Sequence, residues 1–166
     1  MAHALIAGKT MSGKTTLVKR LAAAIMAQGS PVIVLDPLSD PEWGSQFVTA
    51  DPAQFLRWYW EARCAVAFID ESGQAVGRYN LPMTETATRG RHWGHVNFYI
   101  MQEVTQIAPI IRAQCSTLYL FTASSREGLR MAEEFNAPEL EQCTALPQGH
   151  YFKATHFGGV QRGRVF

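Results

Sequence analysis

Eight residues near the start of the chain, Gly8-Lys9-Thr10-Met11-Ser12-Gly13-Lys14-Thr15, satisfy the spacing G-x-x-x-x-G-K-[ST] in full. Glycines at both ends let backbone N–H groups curl round an anion with no Cβ in the way. An apolar run (residues 2–7) precedes the motif and an Ala- and Leu-rich helical pattern (residues 14–28) follows it. The positive end of that helix would face the same anion. This is the chemistry of a nucleoside triphosphate site. Gly8 to Thr16 would line it, with Lys14 reaching the β and γ phosphates. The Thr15 hydroxyl would ligate Mg²⁺ and Thr16 would lie near the α phosphate.

A second acidic feature completes the reading. The apolar run 65–69 ends in Asp70-Glu71. Asp70 at a strand end can hold Mg²⁺ through water, finishing the metal site that Thr15 begins. Glu71 points elsewhere and can polarise a water for in-line attack on the γ phosphate. A kinase passes the phosphoryl group to an acceptor hydroxyl and needs no such glutamate, so the pair favours an ATP hydrolase over a small-molecule kinase.

The elements that must carry these groups alternate between short apolar runs and helical patterns, as expected for a parallel sheet with crossover helices. Strands are expected at 2–7, 31–35, 64–69, 96–101 and 117–121. Helices are expected at 14–28, closed by Gly29, then from Asp51-Pro52 to residue 63, and at 84–92 and 125–135. Glu127 falls in the first turn of the last helix, where an acid suits the dipole. Residues 149–154 and 159–166 read as a closing hairpin round Gly158-Gly159. The expectation is about five parallel strands and an antiparallel edge, in one domain spanning 1–166.

Composition bounds the function. An apolar fraction of 47% and a charged fraction of 17% are those of a globular domain able to build its own core. A formal charge of +1 excludes a general basic coat, so any nucleic-acid contact must be local or shared among subunits. No apolar run approaches the ~18 residues of a membrane span, and the opening residues lack a signal peptide's basic start. The odd set Cys64, Cys115 and Cys143 has no CxxC spacing and is expected to be buried free thiols, fitting a reducing cytoplasm. His92 and His95 lack companions for a zinc site. Trp58-Tyr59-Trp60 cannot share one helix face, so at least one is expected at the surface or an interface. The loop 73–80, with Gly hinges, Arg78 and Tyr79, reads equally as a pore loop touching DNA phosphates and as an ordinary surface loop. Arg162 and Arg164 read as decoration of an edge strand.

The stretch Thr88-Arg89-Gly90-Arg91-His92-Trp93-Gly94-His95-Val96-Asn97-Phe98-Tyr99-Ile100-Met101-Gln102 resembles the FtsK–HerA superfamily of DNA-pumping ATPases. There an Arg/Gly-rich helix end leads into a strand closing on Gln, followed by a segment similar to Pro109-Ile110-Ile111-Arg112-Ala113-Gln114-Cys115. The tail Leu146-Pro147-Gln148-Gly149-His150-Tyr151-Phe152 resembles the family's closing strand. Met101-Gln102-Glu103 departs from it, lacking the arginine usual beside the Gln. The resemblance implies a RecA-like P-loop fold with a mainly parallel sheet flanked by helices and a C-terminal antiparallel hairpin. It implies that the Gln102 strand lies between those of the phosphate loop and Asp70, with Gln102 facing the γ phosphate. It also implies a ring, hexameric or pentameric, in which Arg89 or Arg91 serves the neighbouring subunit's site, with Arg112 a third candidate. The small size is most like a viral genome-packaging ATPase acting on duplex DNA, with a capsid vertex or a membrane-associated phage protein as further partner. A DNA-export ATPase of the same superfamily and a nucleotide-gated interaction module are the rival readings.

Overall fold

The computed structural model describes residues 3–70 and 80–166. Strand β1 (His3–Ala7) leads into helix α1 (Lys14–Ala27), and β2 (Val32–Leu35), β3 (Phe47–Thr49), α2 (Pro52–Glu61) and β4 (Val66–Ile69) follow. Helix α3 (Leu81–Arg89), β5 (Val96–Met101), α4 (Pro109–Gln114), β6 (Cys115–Phe121) and α5 (Ser125–Phe135) come next, and β7 (His150–Thr155) and β8 (Gly159–Arg164) close the chain. The eight strands form one sheet in the order β3-β2-β4-β5-β1-β6-β7-β8. The first six in that order are parallel and the last two antiparallel. This is a RecA-like P-loop NTPase fold with a C-terminal hairpin.

Strand alternation divides the core. Leu5, Ala7, Ile33, Leu35, Ala67, Ile69, Tyr99 and Met101 face helices α2 to α5 through Phe55, Tyr59, Met83, Ile111 and Met131. Ala4, Ile6, Val32, Val34, Phe68, Phe98 and Ile100 face α1 through Leu17, Val18 and Ala22. Both faces are covered, which is why the strands read as unbroken apolar runs rather than alternating ones.

Local signals account for the helix ends. Asp51 accepts from the Ala53 N–H at 2.9 Å with Pro52 in the first turn, and Ser124 caps α5. Helix α3 starts earlier than residue 84. The Asn80 side chain accepts from Met83 N–H, and Pro82 sits in the first turn, where it has no bond to lose. The same helix stops at Arg89 and continues as a 3₁₀ turn, Gly90–Trp93, instead of reaching His92 as α-helix. Gly90 is required there: a Cβ on it would lie 2.0 Å from the Tyr59 hydroxyl.

The parallel strands number six rather than about five, because the edge strand β3 was too short and too exposed to show a period. Helix α4, six residues long, is too short for its sequence to show a helical period. Cys115 and Cys143 are buried free thiols as expected, but Cys64 is exposed. It occupies a left-handed turn, φ 52°, one step before the strand run begins. Tyr59 is fully buried, while Trp58 and Trp60 are half-buried beside it.

Candidate functional site

The phosphate loop leaves β1 at the C-terminal edge of the sheet and enters α1 at Lys14. Gly8 has φ 148° and a Cβ there would lie 2.6 Å from Phe121 Cβ, so this turn admits only glycine. Met11 and Gly13 also have positive φ, 62° and 113°. The loop is buttressed from behind by the closing hairpin. Gly149 N–H donates to the Ser12 carbonyl at 3.0 Å, Gln148 Nε2 donates to the Met11 carbonyl at 2.9 Å, and Val165 packs under Gly13. Arg20 of α1 donates to the Val165 carbonyl.

Inside the loop the Lys14 ammonium donates to the carbonyls of Gly8 (2.6 Å) and Lys9 (2.9 Å). Burial lowers its pKa, while the negative charge of Asp70 opposes that shift. Asp70 directly follows β4, and Lys14 sits within its electrostatic reach although the two are 56 positions apart in the chain. The Ser12 hydroxyl is buried and has no hydrogen-bond partner among the described residues. A buried orphan hydroxyl beside a lysine and a glycine turn is a cradle fitted to a phosphate oxygen. Lys9, Thr10, Met11 and Thr15 are exposed around it, and Thr16 is half-buried.

The Thr15 hydroxyl and the Asp70 carboxylate are the oxygen donors that could hold a Mg²⁺ ion here. Hard oxygen donors, few in number, suit an ion that keeps several waters and binds substrate phosphates. No group of three or more His, Cys, Asp or Glu side chains among the described residues could hold a metal by itself.

Gln102 follows β5, and β5 lies between β4 and β1, the strand order that the resemblance implied. The Gly8 N–H donates to the Gln102 carbonyl at 3.2 Å, joining loop and strand end. Beside them opens a cleft of about 360 Å³ lined by Lys9, Thr10, Gln102, Glu103, Ala123, Ser124 and Glu127. Glu127 is the residue that sequence reasoning undervalued. Its place in the first turn of α5 suggests a helix-dipole acid, yet it is 3% exposed and borders this cleft. Its neighbours in the sequence carry no signal of burial.

The arginine candidates separate. Arg89 and Arg91 lie near the N-terminal ends of β5 and β6, at the edge of the parallel sheet opposite the phosphate loop. Arg89 pairs with Glu85 at 3.2 Å and lies over the rings of Trp60 and Trp93. Arg91 donates to the Gln114 carbonyl at 2.6 Å. Neither can serve its own loop. Arg112 is 3.3 Å from Glu134 and donates to the Ile107 carbonyl, with its side chain only 9% exposed. Glu71 and all but the last residue of the loop 73–80 lie outside the described residues. His95 is buried, with Nδ1 accepting from Ala65 N–H and Nε2 bonded to the Tyr59 carbonyl, a core histidine rather than a ligand.

Among the described residues no helix is long and apolar enough to cross a membrane. Neither a family model nor a curated protein matches this sequence. Solved structures do. The genome packaging NTPase B204 from Sulfolobus turreted icosahedral virus 2, in complex with AMPPCP, superposes with a TM-score of 0.80 at 17% identity, over 98% of this chain and 97% of that one. VirB4 of Thermoanaerobacter pseudethanolicus gives 0.69 at 13%, over 98% and 88%. EccC of Thermomonospora curvata (ATPases 2 and 3) gives 0.70 at 14%, over 98% of this chain but 36% of that one. The chain thus has the fold of the FtsK–HerA-type ATPases, and it shares that fold end to end with a viral genome-packaging NTPase.

Proposed function

We propose that this chain is an ATP-hydrolysing motor subunit that moves duplex DNA, and that its cargo is a viral genome entering a capsid. The observation that carries the proposal is the loop itself: a glycine turn that no side chain fits, an orphan buried hydroxyl and a lysine poised on the loop's own carbonyls. The end-to-end likeness to a packaging NTPase of similar size favours packaging over export.

In this reading residues 1–166 form one ATPase domain. Gly8 to Thr16 take the triphosphate, and Lys14 exchanges its two carbonyl partners for phosphate oxygens. Thr15 and Asp70 hold Mg²⁺, which neutralises phosphate charge when bound. Glu71 takes a proton from the attacking water as its oxygen bonds the γ phosphorus, and the bond to the β–γ bridging oxygen breaks to release ADP and phosphate. Gln102 senses the γ phosphate. Arg89 or Arg91, too far from its own loop to act there, reaches the site of the next subunit in a cytoplasmic ring.

ATP turnover measured against duplex DNA and against protein concentration tests this. A rate per subunit that rises in both titrations supports a DNA-stimulated ring. A rate flat in both points to the nucleotide-gated interaction module. Mixed rings locate the arginine: Glu71→Gln and Arg91→Ala proteins, each inactive alone, should together recover part of the rate, because some interfaces then join an intact site to an intact arginine. The same mixture with Arg89→Ala tests the other candidate.

A further inference from the structure

A carboxylate buried to 3% exposure needs a hydrogen-bond donor. Among the described residues, Glu127 Oε2 accepts from the Val104 N–H at 2.6 Å. Val104 opens the 3₁₀ turn Val104–Gln106, two residues beyond Gln102. On the other side of the same short segment, the Gln102 carbonyl accepts from Gly8 N–H. The pair Gln102-Glu103 is therefore pinned from both flanks, by the phosphate loop before it and by the first turn of α5 after it. The pinning carboxylate itself borders the cleft that Lys9, Thr10 and Gln102 line.

A helix-dipole role would not need this geometry. An acid in a first turn interacts with the dipole while solvated, whereas Glu127 is turned inward and spends its short, charge-assisted bond on a backbone group of another element. We infer that Glu127 is a positioning residue for hydrolysis, fixing the strand end that carries Gln102 against the phosphate loop. It acts through Gln102 and not on the nucleotide. The inference rests on the ATPase reading above.

A double-mutant cycle on turnover tests it, using Glu127→Ala, Gln102→Ala and the pair, with KM for ATP and the melting temperature read alongside. Glu127→Ala is expected to lower kcat by roughly tenfold or more, with KM changed by less than about twofold. Glu127→Gln, whose amide oxygen can still accept from Val104 N–H, is expected to recover most of the rate. In the Gln102→Ala background the same Glu127→Ala change is expected to cost less than about twofold, because the group it positions is gone. Equal costs in the two backgrounds, or a rise in KM with kcat intact, overturn the inference while leaving the ATPase reading standing. If Glu127→Ala shows no cooperative melting, Glu127→Asp, whose shorter arm cannot hold the same bond, replaces it in the cycle with the same outcomes. An unaltered chain that binds ATP but never turns it over, with or without DNA, overturns both readings.

Discussion

The N-terminal edge of the sheet and the phosphate loop treat polar groups in opposite ways. At the N-terminal edge, six buried polar side chains satisfy one another or nearby backbone. Asn97 Nδ2 donates to the Thr86 carbonyl and to the Tyr99 hydroxyl, both at 2.9 Å, and Asn97 Oδ1 accepts from the Tyr59 hydroxyl at 3.0 Å. Thr86 and Tyr99 hydroxyls lie 2.8 Å apart. His3 and His95 each accept a backbone N–H at Nδ1 and place Nε2 on a carbonyl, which fixes both rings as neutral tautomers. In the phosphate loop, at the C-terminal edge, the Ser12 hydroxyl has no partner among the described residues, the Lys14 ammonium rests on carbonyls of its own loop, and backbone angles are left-handed at Gly8, Met11 and Gly13. One edge spends its hydrogen-bonding capacity on the fold. At the other, Asp36 and Glu127 are bonded to backbone in the same way, and it is the phosphate loop that leaves its capacity unspent.

Breaking each edge should therefore read out differently. The largest effect is expected from Gly8→Ala, which adds a Cβ 2.6 Å from Phe121 Cβ at φ 148°. The loop must move, costing about 3 kcal/mol in stability and removing ATP binding, seen together by thermal melting and calorimetry. At the other edge, Asn97→Leu leaves the Tyr59 hydroxyl, the Tyr99 hydroxyl and the Thr86 carbonyl each short of a partner inside the core. Denaturant unfolding should show a loss of about 2–3 kcal/mol, with the ATP affinity of the folded protein unchanged. A parallel loss of affinity would show that the two edges are not independent.

The smallest effect is a pH dependence confined to the N-terminal edge. Burial, with the nearby Arg91 charge, lowers the His3 pKa from 6.5 to about 4, and burial lowers that of His95 as well. The unfolded chain then binds protons that the folded chain refuses. The stability these neutral rings contribute is complete above pH ~6.5 and declines as the pH falls toward about 4. Unfolding followed by urea across that window should show a slope of about one proton from His3, with His95 adding in the same direction. His3→Gln should flatten the slope.

How much of this the sequence disclosed depends on the range of the interaction concerned. The phosphate loop, the Asp51 cap and the helix 125–135 are local patterns, readable because the residues that make them are neighbours in the chain. The position of β5 between β4 and β1 came from resemblance, since no run of residues encodes strand order. Strand β3 escaped because its residues Phe47 and Val48 are not both buried and its three residues cannot show a period. Glu127 and the network round Asn97 escaped for a different reason. Each is defined by partners far away in sequence, Val104 in one case and Tyr59, Thr86 and Tyr99 in the other, and the identity of a side chain does not say whom it will meet. Cys64 was misjudged because a thiol beside an apolar run looks like the run's first member, while the chain turns through a left-handed residue there.

The central claim is that the loop 8–15 is a triphosphate site in which Lys14 supplies the principal cation. Calorimetric titration of ATP with Mg²⁺ into the unaltered chain and into Lys14→Ala tests it directly. The account predicts saturable one-to-one binding by the first and no measurable binding by the second, a loss of at least about 3 kcal/mol, while both proteins melt cooperatively at similar temperatures. Equal affinity in the two would contradict it.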